Sequence, residues 1–222
     1  MARADRSVAA DAARLVVRIW LPDRPGALGL VASRIGALGA DIVGIDVLER
    51  SEHVAVDEFA VVLSSDDLVP LLVREIAEVD GASVEEWRLV ENFPDPRLDA
   101  LETVDQIAQA AEPTDLALRL ANGVRAEFVA DWSAVIRGGE VLAAIGEGVP
   151  SPSVLEALAT GTIASPAVAA GESGPDDLAI APLDKLNAML LVGRDGHPFR
   201  RRERQQLLAL ARIADRLAAL LV

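Results

Sequence analysis

The chain has 222 residues, enough for one large domain or two modest ones that each bury a core. Lys and Arg number 21 against 35 Asp and Glu, a net charge of −14, which argues against a nucleic-acid surface and fits a soluble cytoplasmic protein. There is no cysteine, which excludes disulfides, thiolate nucleophiles and zinc–thiolate sites, and the two histidines, His53 and His197, are too far apart in sequence to suggest a metal cluster.

The first thirteen residues mix Ala with Arg3, Asp5, Arg6 and Asp11 and lack the apolar stretch of a secretion signal. Leu15, Val17, Ile19 and Leu21 then alternate with Arg14, Val16, Arg18 and Trp20, the period-two pattern of a strand covered on one face. Leu28, Val31, Ala32, Ile35 and Leu38 recur at helical spacing, with Gly39 at the place of a left-handed C-cap. Strands are expected at Ile42–Leu48 and Val54–Leu63, joined by the polar hairpin Arg50-Ser51-Glu52-His53. Ser65, Asp66 and Asp67 offer N-caps to a helix carrying Leu68, Leu71, Leu72 and Ile76, with Pro70 tolerated in its first turn. Asp80-Gly81 turns into a last strand, Ser83–Val90. The order βαββαβ is a ferredoxin-like plan.

Asn92-Phe93-Pro94-Asp95-Pro96 breaks the pattern, because two prolines around an Asp continue neither a helix nor a central strand. We therefore divide the chain into a first domain at 14–91, a linker at 92–106 and a second domain at 107–222. The second half opens with helical periodicity from Leu98 to Leu120, broken near Pro113. Strands are expected at Glu127–Arg137 and Val141–Ile145, a short helix from Ser151 through Leu158, and a mobile loop over Thr160–Gly174. Leu178–Leu183 and Ala188–Val192 read as buried strands, and Phe199–Leu221 as a long terminal helix. The C-terminal apolar run Leu207–Val222 is interrupted by Arg212, Asp215 and Arg216 and is too short to cross ~30 Å of hydrocarbon, so no membrane role is expected.

The segment Asp23-Arg24-Pro25-Gly26-Ala27-Leu28 carries the chemistry of the first half. Pro25 fixes φ, Gly26 lets the backbone approach a ligand, and the following helix aims its unpaired amides and positive dipole end at the same loop. A carboxylate could dock on those amides, while Asp23 and Asp41, expected on neighbouring loops, could accept from an ammonium. An α-amino acid needs both sites. The same residues also suit an ordinary turn and helix start.

Within βαββαβ, these residues resemble the ACT family, a regulatory module that binds amino acids. The family pattern is a strand, a polar residue before Arg/Lys-Pro-Gly, a small or apolar pair, a helix ending in Gly, then a polar residue and Ile opening a strand. Leu15 to about Val90 follows it, including Gly39-Ala40-Asp41-Ile42. The resemblance implies ligand contacts at Asp23, Arg24, Gly26, Ala27, Leu28, Asp41 and Ile42, at an interface between domains. Many binding members carry Asn where Asp23 and Asp41 stand. Two acids close together would repel, which favours a basic or simple neutral amino acid over aspartate or glutamate.

The second half, from about Ala108, is similar to a GAF domain on looser motifs: Ile180-Ala181-Pro182-Leu183, Leu190-Leu191-Val192-Gly193-Arg194, and the run Gly196 to Glu203. Phe199 and Glu203 fit the family's turn into its terminal helix, but Arg200 stands where a capping hydroxyl belongs, leaving half a capping box. No nucleophile elbow, P-loop or Gly-x-Gly-x-x-Gly is present, so no catalytic residue, cofactor or metal is assigned. The fold class is α+β: a ferredoxin-like ACT domain followed by a GAF-like domain with an antiparallel sheet and a long C-terminal helix. The expected function is non-catalytic sensing of an amino acid by a homodimer, with the signal passed to a partner enzyme or signalling protein. The alternative is a regulatory subunit that docks on a biosynthetic enzyme and confers feedback control. Open sheet edges, and the stripe Leu207, Leu210, Ile213, Ala214 and Leu217, are the expected dimer contacts.

Overall fold

The computed structural model describes residues 12–221, and contacts divide the chain into two compact units between Pro94 and Asp95. In the first unit, β1 (Ala13–Pro22), α1 (Ala27–Ala37), β2 (Asp41–Arg50), β3 (Val54–Leu63), α2 (Val69–Ala77) and β4 (Ser83–Leu89) follow in that order. A short 3-10 turn, Asp66–Leu68, precedes α2, and Ser65 accepts from the Asp67 amide there as its N-cap. The sheet order is β2-β3-β1-β4, with every pairing antiparallel. This is the ferredoxin-like plan of the ACT-type reading, with both helices packed on one face.

The alternation in β1 places Leu15, Val17, Ile19 and Leu21 in the core with Phe59, Val61 and Leu63 of β3 and Val31, Ile35, Leu72 and Ile76 of the helices. The other set in β1 is not a solvent face, since Val16 and Arg18 are buried as well. Arg18 is held by Glu58 at 3.0 Å and Glu86 at 3.5 Å, and Glu58 also meets Arg88 at 3.8 Å. The pairing register explains the cluster: Arg18 lies opposite Glu58 on one side and Glu86 on the other, so all three share a sheet face.

The second unit runs α3 (Pro96–Ala108), α4 (Pro113–Glu127), β5 (Trp132–Arg137), β6 (Glu140–Gly146), α5 (Pro152–Ile163), α6 (Pro166–Ala169), β7 (Leu178–Leu183), β8 (Ala188–Gly193) and α7 (Arg201–Ala218). Its sheet order is β6-β5-β8-β7, all antiparallel. One core gathers Leu116, Leu120 and Val124 of α4 and Leu207, Leu210 and Ala214 of α7 against Val135, Leu190 and Val192. A smaller core on the opposite face gathers Leu155 and Ala159 of α5 against Ala134, Ile136, Ile180 and Leu191. Covered on both faces, the strands read as continuous apolar runs rather than alternating ones.

Four expectations change here. The stretch 92–106, assigned to a linker, belongs to the second unit from Asp95: the helical periodicity expected from Leu98 is α3, capped by Asp95 and packed against α4 and α7. Thr103 of α3 is buried over Gly123 of α4, where a Cβ would stand 2.7 Å from its methyl group, so the two helices approach too closely for any side chain there. Residues from Glu127 to Asp131 end α4 and turn; the strand begins at Trp132. Residues 160–169, expected as loop, continue α5 and form α6. Finally, Leu207, Leu210 and Ala214 face the unit's own core, so most of the α7 stripe is not available to a second copy.

Candidate functional site

The loop after β1 is built by its backbone. The Asp23 amide donates to the His53 carbonyl at 2.9 Å, tying this loop to the β2–β3 hairpin, and the Arg24 amide donates to the Pro22 carbonyl at 2.8 Å. Gly26 has φ 87°, a left-handed value that costs an L side chain, and stands immediately before α1. No side chain caps α1 and its first turn holds no acid, so its positive end is uncompensated by local chemistry. Ala27 is buried in the core, whereas Leu28 is exposed beside the loop.

Asp23 is not a lone carboxylate. Arg50, the last residue of β2, grips it side-on, with Nη2 to Oδ1 at 2.6 Å and Nε to Oδ2 at 3.2 Å. This hydrogen bond and charge hold the Arg50 guanidinium above its ordinary pKa. Arg24 reaches toward the exposed Asp80 at 3.8 Å.

Asp41 lies elsewhere. It opens β2 opposite Val62, while Asp23 follows Pro22, which lies opposite Val54. Eight residues of β3 separate those two registers, about 26 Å at ~3.3 Å per residue. Within one chain the two acids therefore stand at opposite ends of the sheet, not on neighbouring loops. Ile42, beside Asp41, packs onto the core.

Two residues near the Asp23 loop were not singled out from the sequence. Arg50 was read only as part of a hairpin. Asp57 stands in β3 among Ala55, Phe59, Val61 and Leu63, which share its parity and are buried. It is itself 4% exposed, and its Oδ1 has no hydrogen-bond partner. Burial pushes its carboxyl above the ordinary aspartate range, with Arg50 opposing the shift and Asp23 adding to it. The signal was in the sequence: an acid at an interior position of an alternating strand.

β2 is an edge strand, and Val43, Ile45 and Val47 along it are all 40% exposed or more. In the second unit, a cleft of about 650 Å³ at one end of the sheet is lined by Asp131, Trp132, Glu147, Leu158, Asp177 and Asp195, among others. The Trp132 indole lies over Gly193, where a Cβ would stand 2.2 Å from the ring, so only glycine leaves room for it. Arg194, at the cleft base, is buried and donates to the carbonyls of Phe128 at 2.7 Å, His197 at 2.7 Å and Pro198 at 2.9 Å, and to both carboxylate oxygens of Glu203 at 2.9 Å. Its planar fork is saturated by these acceptors. Glu203 also accepts from the Arg200 amide at 2.7 Å, the half of the capping box that the sequence allowed. A guanidinium has no acceptor for the other half.

Among the described residues, no group of acids and histidines could hold a metal ion, and no helix is long and apolar enough to cross a membrane.

No family model matches the sequence, and no curated protein does. Among solved structures, the chain is similar to the ACT domain of GTP pyrophosphokinase from Chlorobium tepidum, with 15% identity over 38% of this chain and 92% of that one, at a TM-score of 0.30. It is also similar to the ligand-free regulatory subunit of aspartate kinase from Thermus thermophilus, with 14% identity over 94% of this chain and 95% of that one, at a TM-score of 0.27. The strand order β2-β3-β1-β4, with both helices on one face, gives the ACT-like plan independently of these scores.

Proposed function

We propose that this is a non-catalytic regulatory protein that binds an amino acid at the β1–α1 loop and works as a cytoplasmic homodimer. The observation that carries the reading is the exposed apolar row on β2, the terminal strand of its sheet. Ile45 and Val47 lie in register with Phe59 and Asp57, on the helix-covered face, yet α1 leaves them exposed. A strand at the edge of a sheet, bearing exposed apolar side chains, is a template for another strand. Pairing β2 with β2 of a second copy, antiparallel and centred on Ile45, satisfies the two-fold symmetry of an isologous interface. It also sets Val43 opposite Val47 of the second copy.

The same pairing reconciles the separated acids. Centred on Ile45, it brings Asp41 of the second copy opposite Glu49, one residue from Arg50 and hence beside the Asp23 loop. Asp23, Arg24, Gly26, Ala27 and Leu28 of one copy, with Asp41 and Ile42 of the other, then form one site. The ligand carboxylate lies on the uncapped α1 end, where backbone amides and the helix dipole favour an anion.

The second unit is read as GAF-like, its acid-lined cleft a second candidate for a small molecule. The signal passes to a separate enzyme or signalling protein. The test is a thermal-shift screen of the L-amino acids at millimolar concentration, combined with light scattering. The expected result is a mass of twice 23.4 kDa and a raised unfolding midpoint with one or a few amino acids. A monomer that no amino acid stabilises would overturn the reading.

A further inference from the structure

Asp57 lies one side-chain row from the Asp23–Arg50 pair. Ala55 lies opposite Arg50, and Asp57, two residues on and therefore on the same face, lies opposite Ile19 and Val47. Rows two residues apart along a strand are ~6–7 Å apart, within reach of one small zwitterion and the flexible Arg50 side chain. The electrostatic coupling of Asp57 to both Arg50 and Asp23 agrees with that placement.

A buried carboxylate oxygen without a donor is unfavourable, and β3 could remove the difficulty with any apolar residue of similar size. Arg50 does not relieve it, because its fork closes on Asp23. Arg50, one row toward the Asp23 loop, has a side chain that is 65% exposed, so the approach to the carboxylate runs from that end of the sheet, past the Arg50 side chain.

We propose that Asp57 is the ammonium acceptor of the amino-acid site, with Arg50 presenting its guanidinium to the ligand carboxylate. The inference rests on the amino-acid-binding reading above and adds the residues that recognise the zwitterion. An ammonium supplies the missing donor to Oδ1 and the counter-charge that favours ionised Asp57. Arg50 keeps Asp23 as its second partner, so binding leaves no charge uncompensated. The ligand class is an α-amino acid with both charged groups free.

The experiment is calorimetric titration of the full chain with whichever L-amino acid gives the largest thermal shift, then with its N-acetyl derivative, in wild type, Asp57→Asn and Asp41→Asn. Asp57→Asn should weaken the amino acid at least about 10-fold, the loss of a charge-assisted hydrogen bond. It should leave the N-acetyl derivative, which has no ammonium, as weak as it is with wild type. Asp57→Ser, neutral and smaller, should give the same loss, and far-ultraviolet circular dichroism checks that each variant folds. If wild type binds and both Asp57 variants bind equally well, this inference fails while the amino-acid reading stands. If no amino acid binds wild type, both fail.

Discussion

Two sites, one in each unit, treat buried charge in opposite ways. In the second, Arg194 is buried among three carbonyls and Glu203, and Glu127 of α4, whose carboxyl burial pushes upward, accepts from Thr103 at 3.2 Å and from Gln206. In the first, Asp57 is pushed the same way by burial, and its Oδ1 has no donor. A charge whose every lone pair or N–H is matched holds backbone in place. A charge left unmatched beside an exposed loop is where a ligand has something to gain.

The sharpest way to break this contrast is Arg194→Met. It removes the counter-charge of Glu203 and the donors to the loop before α7, and should destabilise the second unit by about 3–5 kcal/mol in chemical denaturation, as breaking a buried pair does. A change under about 1 kcal/mol would mean that Arg194 is no structural anchor.

Ile45→Asp tests the first unit at its edge. A charge opposite its own copy should convert the proposed dimer to a 23.4 kDa monomer by light scattering, while circular dichroism remains that of the folded chain. A persistent dimer would place the interface away from β2.

Asp57→Asn sharpens the comparison through pH. A carboxyl whose folded pKa is raised contributes stability below its unfolded value, near ~3.9, and loses it as pH rises through the folded value. The neutral variant should therefore be more stable than wild type at pH 7, by about 1 kcal/mol, with the gain vanishing as pH falls below ~4. Equal midpoints across that range would mean that burial of Asp57 costs nothing. Glu127→Gln runs through the same linkage, since its carboxyl is also raised. Its donors offset part of the burial, so the shift in unfolding midpoint at pH 7 should be smaller than for Asp57→Asn. A larger one would reverse the contrast between the units.

Much of the fold was legible because burial wrote it as period. β3 was read residue for residue, and Pro70 was placed in the first turn of a helix. α3 was read as helix but assigned to a linker: only Thr103 and Ile107 are buried, while Leu98 and Leu101 are exposed, so its longest apolar side chains do not mark the face that packs. The candidate site was legible in part. Its loop announced itself through Pro25-Gly26, but Asp41 was misplaced because order along the chain was taken for neighbourhood. α1, 11 residues at ~1.5 Å each, carries the chain from one end of the sheet toward the other. Arg50 escaped notice because a strand-end arginine has no pattern; its role exists only in the pairing of the hairpin with the β1 loop.

The separation of Asp23 from Asp41 has a consequence for dose. A ligand touching both can be held only by two chains at once, so occupancy and assembly rise and fall together. In the proposed dimer each two-fold pair would carry the site twice, and ligand would shift the association equilibrium as much as association shifts the affinity. Dilution below the self-association constant would empty the sites even in abundant amino acid. Such a protein reports the concentration of its ligand weighted by its own abundance, and a cell could retune the response by expression level alone, with no change to a single contact.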